Sequence, residues 1–209
     1  ILKSDEKLDG YMIFKSNQGT GDHLKNELNS KTMKPYASGK ITGIVSNNPK
    51  TLKGGHVFFK IFSKNHEFWC AVYKPTGITS IASSLIKGDK IHVGGGVRKS
   101  SKNFPRILNL EFIQIINLEK NHSITNPLCK KCNKKMKSKG KNQGFQCIRC
   151  KNTSSKKISV EIPRLIKKQL YIPNISAHRH LTRPLQRIGI NNKVSKFDKS
   201  LLWFCVYEK

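Results

Sequence analysis

Apolar and polar positions alternate along three stretches of the chain. Lys40–Ser46 (KITGIVS), His56–Ser63 (HVFFKIFS) and Glu67–Tyr73 (EFWCAVY) each read as a half-buried strand. Lys64, Asn65 and His66 lie between the second and third, which therefore form a hairpin. Thr79–Ile86 (TSIASSLI) predicts a short helix with Thr79 or Ser80 near its start. A Gly-Asp turn opens a fourth strand in GDKIHVGGGV, and Arg106–Leu118 (RILNLEFIQIINL) is a fifth. Three strands, a short helix and two strands follow the order of an OB-fold, a small Greek-key barrel. Gly94, Gly95 and Gly96 supply the bend such a barrel needs. Another five-stranded barrel satisfies the same pattern. On the hairpin, Val57, Phe59, Ile61, Phe68, Cys70 and Val72 share the face expected to fill the core. Phe58, Phe62, Trp69 and Tyr73 lie on the other face, where they either stack bases beside a basic groove or pack on a neighbouring domain.

Outside this region the pattern is weaker. Tyr11–Ser16 (YMIFKS) reads as a strand, and NQGTGDHLKNELN as a Gly-containing turn entering a short helix that Thr20 or Asp22 can cap. One strand and one helix cannot bury a core, so residues 1–34 read as the tail of a larger upstream domain. Ile1 in place of methionine agrees with a fragment. Residues 35–120 form the barrel, 121–157 a cysteine-bearing segment and 158–209 a basic tail. Within that tail KKISVEIPRLI is a candidate strand, YIPNISAHRHLTRPLQRIG is broken by prolines, and LLWFCVY is an apolar run able to dock on the body. The fold class is thus mainly β: a barrel, then a small metal-bearing unit, with a short α/β remnant at the N-terminus.

Charge changes this picture from a fold into a binding protein. Lys plus Arg number 40 against 12 acids, a formal net charge of +28. A surplus of this size calls for a polyanion, either nucleic acid or an anionic membrane. Lysine-rich codon bias explains the choice of Lys over Arg, but not why Lys120 to Phe197 carries a single acid, Glu161. No apolar run approaches the roughly 20 residues of a membrane span, and no signal peptide is visible. A cytoplasmic protein with no membrane partner is expected.

Six cysteines fall as two close pairs plus isolated Cys70 and Cys205, a pattern suited to a metal site rather than a disulfide framework. Cys129 and Cys132 form one pair, Cys147 and Cys150 the other. Four thiolates complete a tetrahedron with no open position, so the site is structural, with zinc favoured over an iron–sulfur cluster. Gly140 and Gly144 suit the turns of a zinc ribbon. Lys130, Lys131, Lys134, Lys135, Lys137, Lys139, Lys141, Arg149 and Lys151 crowd this segment. A metal-pinned hairpin would hold them as one phosphate-binding patch; a merely solvated charged face is the alternative. Arg98, Lys99 and Lys102 sit in the loop between the last two barrel strands, a common binding rim. We find no P-loop and no clustered acidic pair for magnesium.

Several colinear strings together carry a family resemblance. They are MIFKSNQGTGDHL, GGHVFFKIF, VYKPTGI, GDKIHVGGGVR, LNLEFI, NPLCKKCNKKMKSKGKNQGFQCIRC and YIPNISAHRHLTRPLQR. The chain resembles the carboxy-terminal half of the archaeal isoleucine-tRNA 2-agmatinylcytidine synthetases. The resemblance implies the end of a ferredoxin-like domain, an OB-fold and a zinc ribbon. It also implies an ATP-dependent ligase that joins agmatine to the wobble cytidine of an isoleucine tRNA with a CAU anticodon. ATP and Mg²⁺ would act through a catalytic domain that this sequence lacks, so the chain alone is expected to be inactive and to hold no catalytic residue. Asn17, Gln18, Gly19, Thr20 and His23 match the family's Asn-Gln-Gly-Thr turn, a substrate-side element; a plain capped turn is the structural alternative. Arg179, Arg183 and Arg187 match a basic motif suited to RNA phosphates. No protein partner follows from the sequence. A freestanding single-strand-binding protein is the rival function.

Overall fold

The structure is a computed structural model that describes residues 10–12, 16–102, 105–190 and 204–206, the first and last of these segments by their backbone alone. Its strands in chain order are β1 (Gly10–Met12), β2 (Ser38–Val45), β3 (Lys50–Thr51), β4 (Val57–Ser63) and β5 (His66–Val72), then β6 (Lys90–Arg98) and β7 (Ile107–Asn117). After these come β8 (Asn121–Thr125), β9 (Lys137–Ser138), β10 (Phe145–Gln146), β11 (Thr153–Ser154), β12 (Ile158–Ile162), β13 (Leu170–Tyr171) and β14 (Phe204–Val206). One short helix, α1 (Thr79–Ser83), separates β5 from β6.

The barrel closes through β2, β4, β5, β7 and β6, with β6 returning to β2. Neighbours run antiparallel except β5 and β7, which are parallel. This is an OB-fold, and it closes because its strands keep their alternation. The β4 and β5 residues assigned to the core, Val57, Phe59, Ile61, Phe68, Cys70 and Val72, are all buried. Lys64 and Asn65 alone form the hairpin turn, both with left-handed backbone, as a two-residue turn between twisted strands requires. His66, expected in that turn, instead starts β5. Ala82 of α1 and Leu85 just beyond it close one end of the core.

Glycine opens the barrel where β6 crosses two partners. A Cβ at Gly94 would stand 2.3 Å from the Phe112 ring, and one at Gly95 would stand 1.9 Å from the Asn109 carbonyl oxygen. Opposite them the register slips: Gly94 faces Phe112 and Gly95 faces Leu110. Glu111 is therefore the extra residue of a β-bulge, a device that bends the strand and re-aims a side chain.

The chain beyond the cysteines returns to the barrel. Arg164 makes a two-pronged ion pair with fully buried Asp89, at 3.0 and 2.8 Å. Asp89 also accepts from the Ile86 and Glu119 amides, and Arg164 donates to the Ser84 and Glu119 carbonyls. The buried carboxylate is thus fully partnered, as a charge out of water must be. Ile166 then enters the core, and β13 adds to the edge of β7. The apolar run LLWFCVY contributes β14, which pairs with β1; the rest of that run and of the Tyr11–Ser16 strand reading lies outside the described residues, except Ser16, which is not in a strand. The helix expected after Asn17 amounts to a single 3-10 turn, Asp22–Leu24: Gly21, which has no side chain, occupies its N-cap position, and Thr20 Oγ1 accepts only from the first amide of the turn, that of Asp22.

Candidate metal centre and nucleic-acid interface

Two structurally equivalent turns build the metal centre. The Asn133 amide bonds the Cys129 carbonyl at 2.8 Å, and the Lys151 amide bonds the Cys147 carbonyl at 3.0 Å. The Cys129 amide donates to the Lys134 carbonyl, and the Cys147 amide to the Asn152 carbonyl, in the same register. Asn133 and Lys151 both adopt left-handed backbone to complete the turn. Each turn points two sulfurs inward, and all four sulfurs lie within 4.8 Å of one another. Tetrahedral ligation at about 2.3 Å would place sulfurs about 3.8 Å apart, so the cage fits a zinc ion.

Electrostatics favour the same occupant. The Cys132 and Lys131 backbone N–H groups around the Cys129 sulfur hold its thiol down to about 6, and the turn amides of Cys150 and Arg149 lower Cys147 similarly. Cys132 is pushed up to about 12, first through its hydrogen bond with Cys150. Two thiols are thus lowered while a third is raised beside its neighbours' sulfurs. A divalent cation removes that conflict by replacing the shared protons. Isolated Cys70 differs: burial in the barrel core pushes its thiol far up, leaving it inert.

Around the cage, β9, β10 and β11 form a three-stranded ribbon, and Met136 and Phe145 supply nearly all of its apolar packing. Lys130, Lys131, Lys135, Lys137, Lys139, Lys141 and Arg149 are all exposed. None has a carboxylate partner among the described residues.

A second cluster joins three segments that the sequence keeps apart. The Gly19 amide donates to the His180 carbonyl at 2.9 Å, and the Gly21 amide donates to the Leu181 carbonyl at 2.8 Å. Both glycines need their left-handed backbone to present those amides. A glycine turn of this kind can offer its N–H groups to a ligand; here the basic tail occupies these two instead. His23 Nε2 lies 2.8 Å from the Glu111 carboxylate, and Arg179 Nη1 stands 3.2 Å from its other oxygen. The bulged carboxylate thus anchors the turn on one side and the tail on the other. Thr20 Oγ1 donates to the Asn17 carbonyl and accepts from the Asp22 amide, fixing the turn internally. That leaves the exposed side-chain amides of Asn17 and Gln18 facing solvent. Thr20, Arg183, Glu111, His92 and Lys40 border a cavity of about 360 Å³ beside this junction.

Arg183 donates to the Ile190 carbonyl, and Arg187 lies against Gly19. Arg98 reaches the Tyr73 hydroxyl at 3.4 Å, distant in the chain from the ribbon lysines. Glu111 escaped the sequence reading, although an acid between Leu110 and Phe112 in an apolar strand is a visible signal. On the hairpin's outer face, Lys60 caps the Trp69 ring at 5.1 Å, and Phe58 and His56 pack against Tyr73. Phe62 is half exposed.

Comparison with known proteins gives this geometry a family. Residues 126–166 match the TiaS C-terminal zinc ribbon domain. The isoleucine-tRNA 2-agmatinylcytidine synthetase TiaS of Cenarchaeum symbiosum is 44% identical over 208 residues, covering 100% of this chain and 46% of that protein. Its Archaeoglobus fulgidus counterpart is 34% identical over 189 residues, 90% of this chain and 44% of the relative. The crystal structure of apo TiaS superposes with a TM-score of 0.66 at 32% identity, covering 83% of this chain and 40% of that one. The complex of TiaS with its isoleucine tRNA and ATP does so with a TM-score of 0.66 at 32% identity, over 85% and 40%. The chain spans about half the length of the curated relatives it matches. By sequence and by fold, it belongs to the TiaS family of isoleucine-tRNA 2-agmatinylcytidine synthetases and corresponds to their carboxy-terminal part.

Proposed function

We propose that the chain is the tRNA-binding portion of an ATP-dependent ligase that attaches agmatine to the wobble cytidine of isoleucine tRNA. The observation that carries this reading is 44% identity with a member of that family along the whole chain, joined by the zinc-ribbon match over residues 126–166, the segment that contains the four cysteines. A solved TiaS complex holds its isoleucine tRNA, AMPCPP and agmatine, and 83% of this chain aligns with it. In this reading ATP and Mg²⁺ belong to a catalytic domain outside the chain, and the protein works in the cytoplasm. No helix among the described residues is long and apolar enough to cross a membrane.

The parts divide the work. Cys129, Cys132, Cys147 and Cys150 hold a structural zinc that keeps the ribbon lysines and Arg149 in one patch. That patch, with Arg98 and the tail arginines Arg179, Arg183 and Arg187, neutralises tRNA phosphates and releases counterions. Asn17 and Gln18 face the small substrate. Gly19, Thr20 and His23 set the turn that presents them, pinned by Glu111 and the tail.

Two measurements test this. Binding of isoleucine tRNA and of a poly-pyrimidine strand should be compared across salt concentrations. A preference for the folded tRNA, with a steep fall in affinity as salt rises, is expected. Equal grip on both favours a freestanding single-strand-binding protein. The second measurement gives the isolated chain ATP, agmatine and tRNA; turnover there would refute the division of labour.

A further inference from the structure

A groove of about 490 Å³ crosses the outer barrel face over the start of β2, the end of β6 and the start of β7. Its lining includes no ribbon residue and none of Phe58, Phe62 and Trp69, while Arg98 on its rim reaches the Tyr73 hydroxyl of the hairpin. We propose that this groove is a subsite for one unpaired nucleobase and its adjoining phosphate, with Tyr36 as the stacking platform. The proposal rests on the RNA-binding reading and adds a place where a base, rather than a phosphate, is read.

Four independent features support it. Tyr36 has φ 66°, a left-handed conformation that bulky residues avoid. Bonds from the Tyr36 amide to the Val97 carbonyl and from the Val97 amide to the Ala37 carbonyl hold it there. Its side chain is nonetheless 82% exposed, so core packing explains neither the strain nor the aromatic ring. Gly96 is the second feature. Gly94 and Gly95 are required by the steric limits of the barrel, but Gly96 is not. A Cβ there would meet nothing closer than Arg179 Nη1 at 3.4 Å and Ser38 Oγ at 3.7 Å. Its backbone is not left-handed either. A strand glycine with no structural need marks a surface that a ligand approaches closely.

Asn109 is the third feature. It pairs with Gly96 across β6 and β7, lines the groove, and carries an Oδ1 that is buried without a hydrogen-bond partner. A carboxamide offers an acceptor oxygen and two donors, the inventory that reads a base edge. Lastly, Arg98 and Lys99 rim the groove and supply the positive charge that a phosphate beside a stacked base requires, next to Arg179, whose charge is shared with Glu111. Ring, open floor, amide and cations stand together as stacking, clearance, hydrogen bonding and charge neutralisation.

The test uses the intact chain and two probes: a short single-stranded RNA carrying one 2-aminopurine, and the same sequence closed into a duplex. Tyr36→Asn removes the ring but keeps a residue at ease in left-handed backbone; Gly96→Val fills the floor, its Cβ meeting only the Arg179 and Ser38 side chains. Each is expected to abolish quenching of the probe and to weaken single-strand binding about 5- to 100-fold. Tyr36→Phe should retain both, and duplex binding should be unchanged in all three. Thermal unfolding identifies which variants are folded, and either folded variant decides the matter. Parent-like quenching and affinity in a folded Tyr36→Asn or Gly96→Val overturn the subsite while RNA binding stands. A parent that binds neither probe but still binds isoleucine tRNA overturns the subsite alone, and one that also fails to bind that tRNA overturns both readings.

Discussion

The barrel and the ribbon present charge to the same solvent but are held together by different physics. The barrel buries a continuous cluster from Leu28 to Ile166, with Phe59, Ile61, Leu108 and Ile113 almost wholly out of water. Each such side chain contributes about 1.5–3 kcal/mol, so its rigidity is spread over many residues. The ribbon's packing reduces to Met136, Phe145 and the cysteines themselves. A surface of like charges needs a rigid base, or repulsion spreads it. In the barrel hydrophobic burial provides that base, and in the ribbon four sulfur ligands provide it. One region should therefore resist single changes that the other cannot survive.

The largest effect expected is loss of the ribbon on zinc removal. Apparent zinc affinity of roughly 10–16 kcal/mol is also folding energy in units this small. Chelator, or Cys132→Ser, should erase the ribbon's amide signals in a two-dimensional NMR spectrum while the β2–β7 signals stay in place. Loss of both sets together would break the contrast between independent barrel and metal-dependent ribbon.

Next comes the barrel's own weak point. Arg164→Ala leaves the Asp89 carboxylate buried without its ion partner, and is expected to cost about 3–5 kcal/mol in urea unfolding. A change below about 1 kcal/mol would show that the returning segment does not brace the barrel. Gly95→Ala should cost on the order of 1–3 kcal/mol, because its new methyl meets the Asn109 carbonyl. Gly96→Ala, one residue on, should leave the melting temperature unchanged, and equal losses at the two sites would remove the distinction between structural and ligand-facing glycine.

The smallest effect concerns pH. Burial, then the nearby positive charge of Lys40, holds His92 below its usual value, and its Nδ1 lies 2.7 Å from Thr42 Oγ1. A lowered histidine favours the neutral ring in the folded state. Its contribution is present above the unfolded value near 6.5 and is lost as pH falls through the lower folded value. Barrel stability should therefore decline modestly below about pH 6.5, and His92→Gln should flatten that slope. An unchanged slope would assign the decline to other groups.

Much of the molecule can be read from local pattern. The β4–β5 hairpin follows from strict alternation, since a period of two places every second side chain on one face. The metal cage follows from two Cys-x-x-Cys spacings, because each closes within a single turn. The pattern suggests a helix where only the 3-10 turn at Asp22–Leu24 forms, since the composition of NQGTGDHL does not reveal that two of its amides bond elsewhere. The segment from Arg164 to Tyr171 reads as the end of a candidate strand running into basic tail, with no sign that it braces the barrel, because that role depends on Asp89, more than seventy residues earlier.

Sequence by itself determined the strand faces, the sulfur ligands and the excess of positive charge, all of which arise from residues within a turn or a hairpin of one another. Only the tertiary structure decided that the Asn17–His23 turn and the Arg179–Arg187 tail form one cluster around Glu111. It alone set Tyr36, Gly96 and Asn109 around a single groove. These contacts join segments scores of residues apart and depend on a bulge that shifts the register of β7. Contacts of that kind leave no periodic trace along the chain, so they emerge only when the barrel closes.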